Sequence, residues 1–360
     1  MPLSLMKRKV GKTAISVSEI GVGGAQFGNL YQRMSDQQAY DIMAYWIKQG
    51  VTLFDTAPYY GFGLSEIRVG EFLRQYGLQD DVILSTKAGR LLYPVSLVDE
   101  QIARHGFYSH LAFEPQFDYS YDGIMRSYFD SQSRMQDKSA DILLVHDIGQ
   151  VTHCQYHELY LKQLLSGGLR ALQELKQAGD IRAFGLGVNE IEICEQLLDL
   201  CEPDCLLLAG RYTLLEQAAL KTLFPRCIQQ GVSIMAGGIY NSGILASYGQ
   251  SSKNTDNELA YYNYQPANEP IKRKVKALHH VCLEYDVPMA AAALQFVLAH
   301  PAICAALPGS ADISQAQQTL QHYQMLIPSA FWQDLKYQGL LDEEAPVPLP
   351  LSGNISRTLN

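Results

Sequence analysis

Charge is sparse in this chain: 18% of its residues are Asp, Glu, Lys or Arg, and acidic residues outnumber basic ones 37 to 28. The net charge of -9 supplies no global field for phosphates, which argues against nucleic acid as the main partner. No apolar run approaches the roughly 20 residues needed to cross a bilayer, so no membrane association is expected. The opening MPLSLMKRKVG places its basic residues after the apolar ones, the reverse of a secretory signal, and a cytoplasmic location is expected. The seven cysteines are odd in number and contain no CxxC pair, which excludes a disulfide framework and points to reduced thiols. Cys201 and Cys205 lack two nearby companions for zinc, so no metal is expected. GVGG at 21–24 does not have the spacing of a dinucleotide-binding fingerprint.

What is present is a recurrence. Short, nearly continuous apolar segments at 20–23, 51–56, 82–86, 142–146, 183–188, 205–209, 232–236 and 303–307 are each followed by a helical pattern. Continuous rather than alternating hydrophobicity suits parallel strands covered on both faces. Helix signals are legible: Ser35-Asp36 opens a helix that ends near Gly50, Ser65-Glu66 opens another, and Gly179 closes a third. Eight strand–helix alternations predict an α/β fold, a (β/α)8 TIM barrel, with an open doubly wound sheet as the runner-up. VGKTAISVSEI reads as a hairpin ahead of the first strand, turning at Gly11-Lys12 and covering the barrel bottom. Two long loops, 91–137 and 249–270, are rich in aromatics and belong on the functional face. The expected organisation is one domain over 1–345, with a Pro- and Ser-rich tail over 346–360 that wraps the surface or frays.

In such a barrel, polar residues at the C-terminal ends of strands converge on one mouth. Three apolar runs end in ionisable groups, presenting Asp55, Lys87 and His146, and Tyr60 follows Asp55 closely enough to fold over the same mouth. Singly, each residue has a plain structural explanation: a helix cap, a solvated lysine, a backbone-bonded imidazole, a packed phenol. Together they suit proton transfer. A phenol with a reference pKa near 10 needs an adjacent ammonium to ionise, and a carboxylate can hold that ammonium.

The stretches FDTAPYYG, STKAGR, DILLVHD, IRAFGLGVNE, GRYTLLEQ and LPGS resemble, in order and spacing, the aldo-keto reductase superfamily across nearly the whole chain. The resemblance implies an NAD(P)-dependent oxidoreductase with a catalytic tetrad of Asp55, Tyr60, Lys87 and His146. Tyr60 would transfer the proton, Lys87 would lower its pKa, Asp55 would pair with Lys87, and His146 would orient the substrate oxygen. It also implies Asn189 on the cofactor carboxamide and Tyr212 stacked on the nicotinamide. Gly309 and Ser310 would cradle the pyrophosphate or adenosine end. Gly309 and Gln315 occupy the positions where NADP-preferring members carry Lys and Arg for the 2′-phosphate, and Asp312 adds negative charge, so NAD is favoured, with NADP as the alternative cofactor. Asp312 also reads as a helix N-cap.

FDYSYDGIMRS, GVNE and YNYQPANEP are most similar to the sugar-oxidising branch of that family. That branch implies oxidation of an aldose of the L-fucose, L-galactose or D-arabinose type at its anomeric carbon, giving a lactone. A reductase or dehydrogenase of another small carbonyl, such as pyridoxal or an aryl aldehyde, and a non-catalytic cofactor-binding barrel are the alternatives. Tyr119, Tyr262 and Tyr264 are the candidate substrate contacts. The partner is then a small aldose or aldehyde, and the protein a monomer or small homo-oligomer.

Overall fold

The computed structural model describes residues 5–96, 99, 101–248, 261–263 and 265–349. Its main sheet has eight strands: β1 (Val22–Gly23), β2 (Leu53–Asp55), β3 (Ile83–Ala88), β4 (Ile142–His146), β5 (Ala183–Val188), β6 (Cys205–Ala209), β7 (Ser233–Gly237) and β8 (Ile303–Leu307). Each pairs in parallel with the next. The two ends then meet. Gly21 N–H donates to the Ala306 carbonyl at 2.8 Å, Ala306 N–H to the Glu19 carbonyl at 2.8 Å, and Gly23 N–H to the Pro308 carbonyl at 3.0 Å. A sheet with no free edge is a barrel, and the open-sheet alternative is set aside.

Strands β4, β5, β6 and β8 coincide with the apolar segments that announced them. β1 is shorter than expected because residues 20 and 21 reach the sheet only through this closing seam with β8.

The covering helices follow local signals. In α1 (Asp36–Lys48) the Ser35 hydroxyl accepts from Gln38 N–H while the Gln38 side chain accepts from Ser35 N–H, a reciprocal cap. α2 (Leu64–Tyr76) departs from expectation, since its N-cap is Gly63 rather than a serine. Ser65 is the second helical residue, where its hydroxyl donates to the Gly24 carbonyl at 2.8 Å. There the pull of a buried acceptor outweighs capping. α3 (Tyr121–Arg134), α4 (Leu169–Ala178), α5 (Ile191–Leu200) and α6 (Leu223–Gln230) follow. Gly179 ends α4 at φ +82°, a conformation only glycine adopts cheaply. Further long helices are α7 (Glu269–Glu284), α8 (Met289–Ala299), α9 (Ile313–Gln324) and α10 (Ser329–Tyr337), with shorter helical turns between the elements named. Among the described residues no single helix is long and apolar enough to cross a membrane, and α8 is apolar because it is buried in the core.

Two apolar layers hold the barrel. One lies between strands and helices. The other fills the barrel, where Leu53, Ile142, Leu144, Leu207 and Met235 pack on Val10, Ile15 and Val17. Those last three belong to the N-terminal hairpin, Lys7–Lys9 against Ser16–Ser18, which plugs the bottom as expected. Among the described residues this hairpin closes the bottom, which leaves the C-terminal mouth for a site. Over it, the insertion forms an antiparallel hairpin, Arg90–Pro94 with Phe113–Phe117. At the other end of the chain, Ala345 and Val347 still pack on the core, and residues 350–360 of the expected tail lie outside the described residues.

Gly185 in β5 marks how tightly the barrel closes, because a Cβ there would sit 1.7 Å from the Cys205 carbonyl oxygen. Gly185→Ala is therefore expected to cost about 2–3 kcal/mol through forced strand separation. A chemical-denaturation midpoint unchanged from wild type would contradict this.

Candidate active site

Asp55, Lys87 and His146 arrive at the mouth on three adjacent strands, β2, β3 and β4. Alternation along β3 turns Ser85 and Lys87 to the same inner face. There the Lys87 ammonium donates to Asp55 Oδ1 at 2.5 Å and to the Thr56 carbonyl at 2.9 Å. Ser85 Oγ donates to the same carboxylate oxygen at 2.7 Å. Room for the lysine stem comes from β5, since a Cβ on Gly187 would lie 2.9 Å from Lys87 Cε. The pair is almost wholly enclosed, with side-chain exposures of 1% and 4%. Burial raises the Asp55 pKa, and Lys87 and Ser85 pull it back.

Tyr60 follows β2 on a tight turn. Its backbone lies against Gly28, where a Cβ would approach Tyr60 C to 2.4 Å. The segment carrying Gly28 is itself pinned by buried Arg68, which donates to the carbonyls of Phe27 and Met34 and to Asn29 Oδ1. The Tyr60 ring stands edge-on to His146, centroids 6.3 Å apart, with Phe107 of the insertion on another side. Tyr60 and His146 thus share one wall of the mouth, and the Lys87 charge reaches His146.

His146 is held neutral. Burial pushes its pKa well below 6.5, and the nearby charges of Arg90 and Lys87 push the same way. A neutral imidazole can donate one hydrogen bond to a substrate oxygen. Behind it, the Tyr119 hydroxyl donates to the His146 carbonyl at 2.7 Å and lies 2.9 Å from His153 Nε2. The expected substrate contact at Tyr119 is thereby corrected: the ring is fully buried, stacked on Phe117, and its phenol is committed to the backbone beneath His146. An aromatic insertion and a buried aromatic cluster look alike in sequence.

Two groups absent from the sequence-based list also line this wall. Arg90, at the start of the insertion hairpin, pairs with the Asp147 carboxylate. Its guanidinium lies 4.1 Å over the Tyr59 ring. Both stood inside recognised stretches, STKAGR and DILLVHD, but a charge just past a strand carries no signal separating a site residue from a solvated one.

The opposite half of the mouth, at the ends of β5, β7 and β8, is lined by buried polar atoms with no protein partner: Asn189 Oδ1, Asn241 Oδ1 and Ser310 Oγ. Such atoms are costly unless something satisfies them. Arg211 adds positive charge here, donating to the Asn189 carbonyl at 2.6 Å. Gly309 lies against the Gln26 side-chain amide, which would have to shift to admit a Cβ. Asp312 caps α9 by accepting from Gln315 N–H at 2.8 Å, and Gln315 Oε1 accepts from Ala311 N–H, so both side chains are partly spent on the helix start. Tyr212 does not belong to this surface. It is packed between Phe224 and Phe296, at 4.7 and 4.9 Å, with burial raising its pKa. The expected nicotinamide stacking by Tyr212 is corrected, because the turn after β6 sends its ring outward between helices. Of the other tyrosines, Tyr262 donates to the Glu216 carboxylate, and Tyr264 lies outside the described residues.

A closed barrel with a buried Lys–Asp pair, a tyrosine and a neutral histidine at its mouth is consistent with an oxidoreductase. The chain belongs to the aldo/keto reductase family, whose model matches residues 19–337, and the members of that family bind NAD(P)H. Among its relatives is the pyridoxal 4-dehydrogenase of Microbacterium luteolum, 39% identical over 93% of this chain and 98% of that protein. The D-threo-aldose 1-dehydrogenase of a Pseudomonas species is 31% identical over 91% of this chain and 95% of that one. Among solved structures, the holo form of aldo-keto reductase AKR11C1 from Bacillus halodurans superposes with a TM-score of 0.71 at 25% identity. That match covers 96% of this chain and 98% of the other.

The buried imidazoles set a pH dependence. Burial lowers the His153 pKa to about 4, and that of His146 also falls. Unfolded histidines take up protons below about 6.5, so the unfolded state binds more protons in that window and stability falls as pH drops from there. Urea midpoints should decline between neutral pH and pH ~5, and His153→Gln should lessen the decline. A decline equally steep in that variant would contradict the assignment.

Proposed function

We propose that the protein oxidises a cyclic hemiacetal to its lactone, acting on an aldose at the anomeric carbon. The observations that carry this reading are the enclosed Asp55–Lys87 pair and the edge-on contact of Tyr60 with His146, whose pKa that pair's lysine helps to lower. Tyr60 takes the proton of the hemiacetal hydroxyl, and the Lys87 ammonium favours the phenolate that does so. Asp55 holds the ammonium in place. His146 donates to the same substrate oxygen and fixes its direction. The nicotinamide, when bound, accepts the hydride. Asn189 would hold its carboxamide, with Ser310 and Gly309 against the diphosphate or adenosine end. Arg211 adds charge complementary to the diphosphate.

NAD is the preferred cofactor in this reading. No lysine or arginine occurs between Ala302 and Leu335, the stretch that carries Asp312 and Gln315, so a 2′-phosphate finds no cation there. The similarity to a pyridoxal 4-dehydrogenase favours a second substrate, pyridoxal. Its aldehyde and neighbouring hydroxymethyl close to a hemiacetal, so the same proton and hydride transfers serve both. The enclosed Lys87–Asp55 pair argues against an idle barrel, which has no use for a buried charge pair.

Purified protein should reduce NAD+ in preference to NADP+ with at least one of L-fucose, L-galactose, D-arabinose or pyridoxal, followed by nicotinamide absorbance. Tyr60→Phe should lower kcat by about 1,000-fold while the Kd for NAD+ stays near the wild-type value. Turnover within tenfold of wild type would falsify the role given to Tyr60.

A further inference from the structure

Asp147 follows His146 directly and holds φ at +48°, in the left-handed region that non-glycine residues rarely occupy. That turn brings its carboxylate back beside the imidazole, with Oδ2 3.5 Å from His146 Nε2. The distance is too long for a good hydrogen bond, so the carboxylate stands next to the donor without consuming it.

Arg90 fixes the carboxylate in place. Its guanidinium bonds to Asp147 Oδ2 and is gripped between the rings of Tyr59 and Phe117, at 4.1 and 4.8 Å. Arg90 is 8% exposed, and its Nε is a buried N–H without a protein acceptor. The Asp147 side chain keeps 21% exposure. A partly exposed acceptor, held in place by a buried guanidinium, therefore stands beside His146. A hydroxyl group on the substrate can donate to that carboxylate.

Resting on the hemiacetal reading above, we propose that the Arg90–Asp147 pair recognises a hydroxyl flanking the reacting carbon. The preferred substrates are then hemiacetals carrying that neighbouring hydroxyl: the 2-hydroxyl of an aldose, or the ring hydroxyl beside the aldehyde of pyridoxal. A site that presents a charged acceptor to a substrate hydroxyl rejects an analogue lacking that hydroxyl far more strongly than a merely apolar pocket does.

The test compares kcat/KM for L-fucose against 2-deoxy-L-fucose, and for pyridoxal against 3-O-methylpyridoxal, with NAD+. In whichever pair is oxidised, the wild type should favour the hydroxylated member by at least ~30-fold. Asp147→Asn should compress that ratio at least fivefold, and Arg90→Lys carries the same comparison where the asparagine variant does not fold. Equal rates in the wild type, or a preference undiminished in the variants, overturn the proposal while leaving the hemiacetal reading intact. Oxidation of neither pair, with NAD+ still bound, removes the hemiacetal reading and this proposal with it.

Discussion

The ammonium of Lys87 and the carboxylate of Asp55 are held out of water at 2.5 Å, and much of the barrel is arranged to make that possible. Two charges in a low-dielectric interior are costly, and their attraction offsets the cost only with good geometry and further hydrogen bonds. Both conditions are met. Ser85 satisfies the carboxylate from the same strand, the Thr56 carbonyl takes a second ammonium proton, and Gly187 leaves space for the lysine stem. Removing one partner of such a pair strands the other charge, at about 3–5 kcal/mol. The pair is thus a strict demand on the fold: β2, β3 and β5 must meet in one register, or the charges are orphaned.

From that anchor the mouth divides by chemistry. One wall, at the ends of β2 to β4, carries ionisable groups whose protonation is set by burial and by neighbouring cations. The other, at the ends of β5, β7 and β8, carries neutral polar atoms awaiting partners. In the proposed reaction these walls correspond to the proton and the hydride. The separation is economical, because the strongly polar proton-transfer groups do not compete for the atoms that would hold the cofactor. Tyr119 and His153 add a third layer behind the first wall, tying the His146 backbone to the insertion and to the segment after β4.

Much of this was legible in the sequence because barrel strands advertise themselves twice. Each is a continuous apolar run, and Asp55, Lys87 and His146 each break such a run near its last residue. Chain order then places them on neighbouring strands. What was not legible depended on side-chain direction in loops. Tyr119 and Tyr212 sit in stretches that suggest ligand contact, yet one turns beneath His146 and the other between α6 and α8, where Phe224 and Phe296 enclose it. Ser65 showed the same limit on a smaller scale, since a plausible helix cap was taken by a buried carbonyl. Arg90 and Asp147 were hidden for the opposite reason, because their recognised stretches gave no hint that a hairpin would fold one onto the other.

The most direct measurement of the central claim is single-turnover hydride transfer in Lys87→Met, with the hemiacetal substrate and NAD+ both saturating. If the ammonium is what makes the neighbouring phenol a usable proton acceptor, transfer slows by about 1,000-fold or more, while cofactor affinity measured by fluorescence titration is nearly unchanged. Transfer within tenfold of wild type in a folded Lys87→Met protein would contradict it.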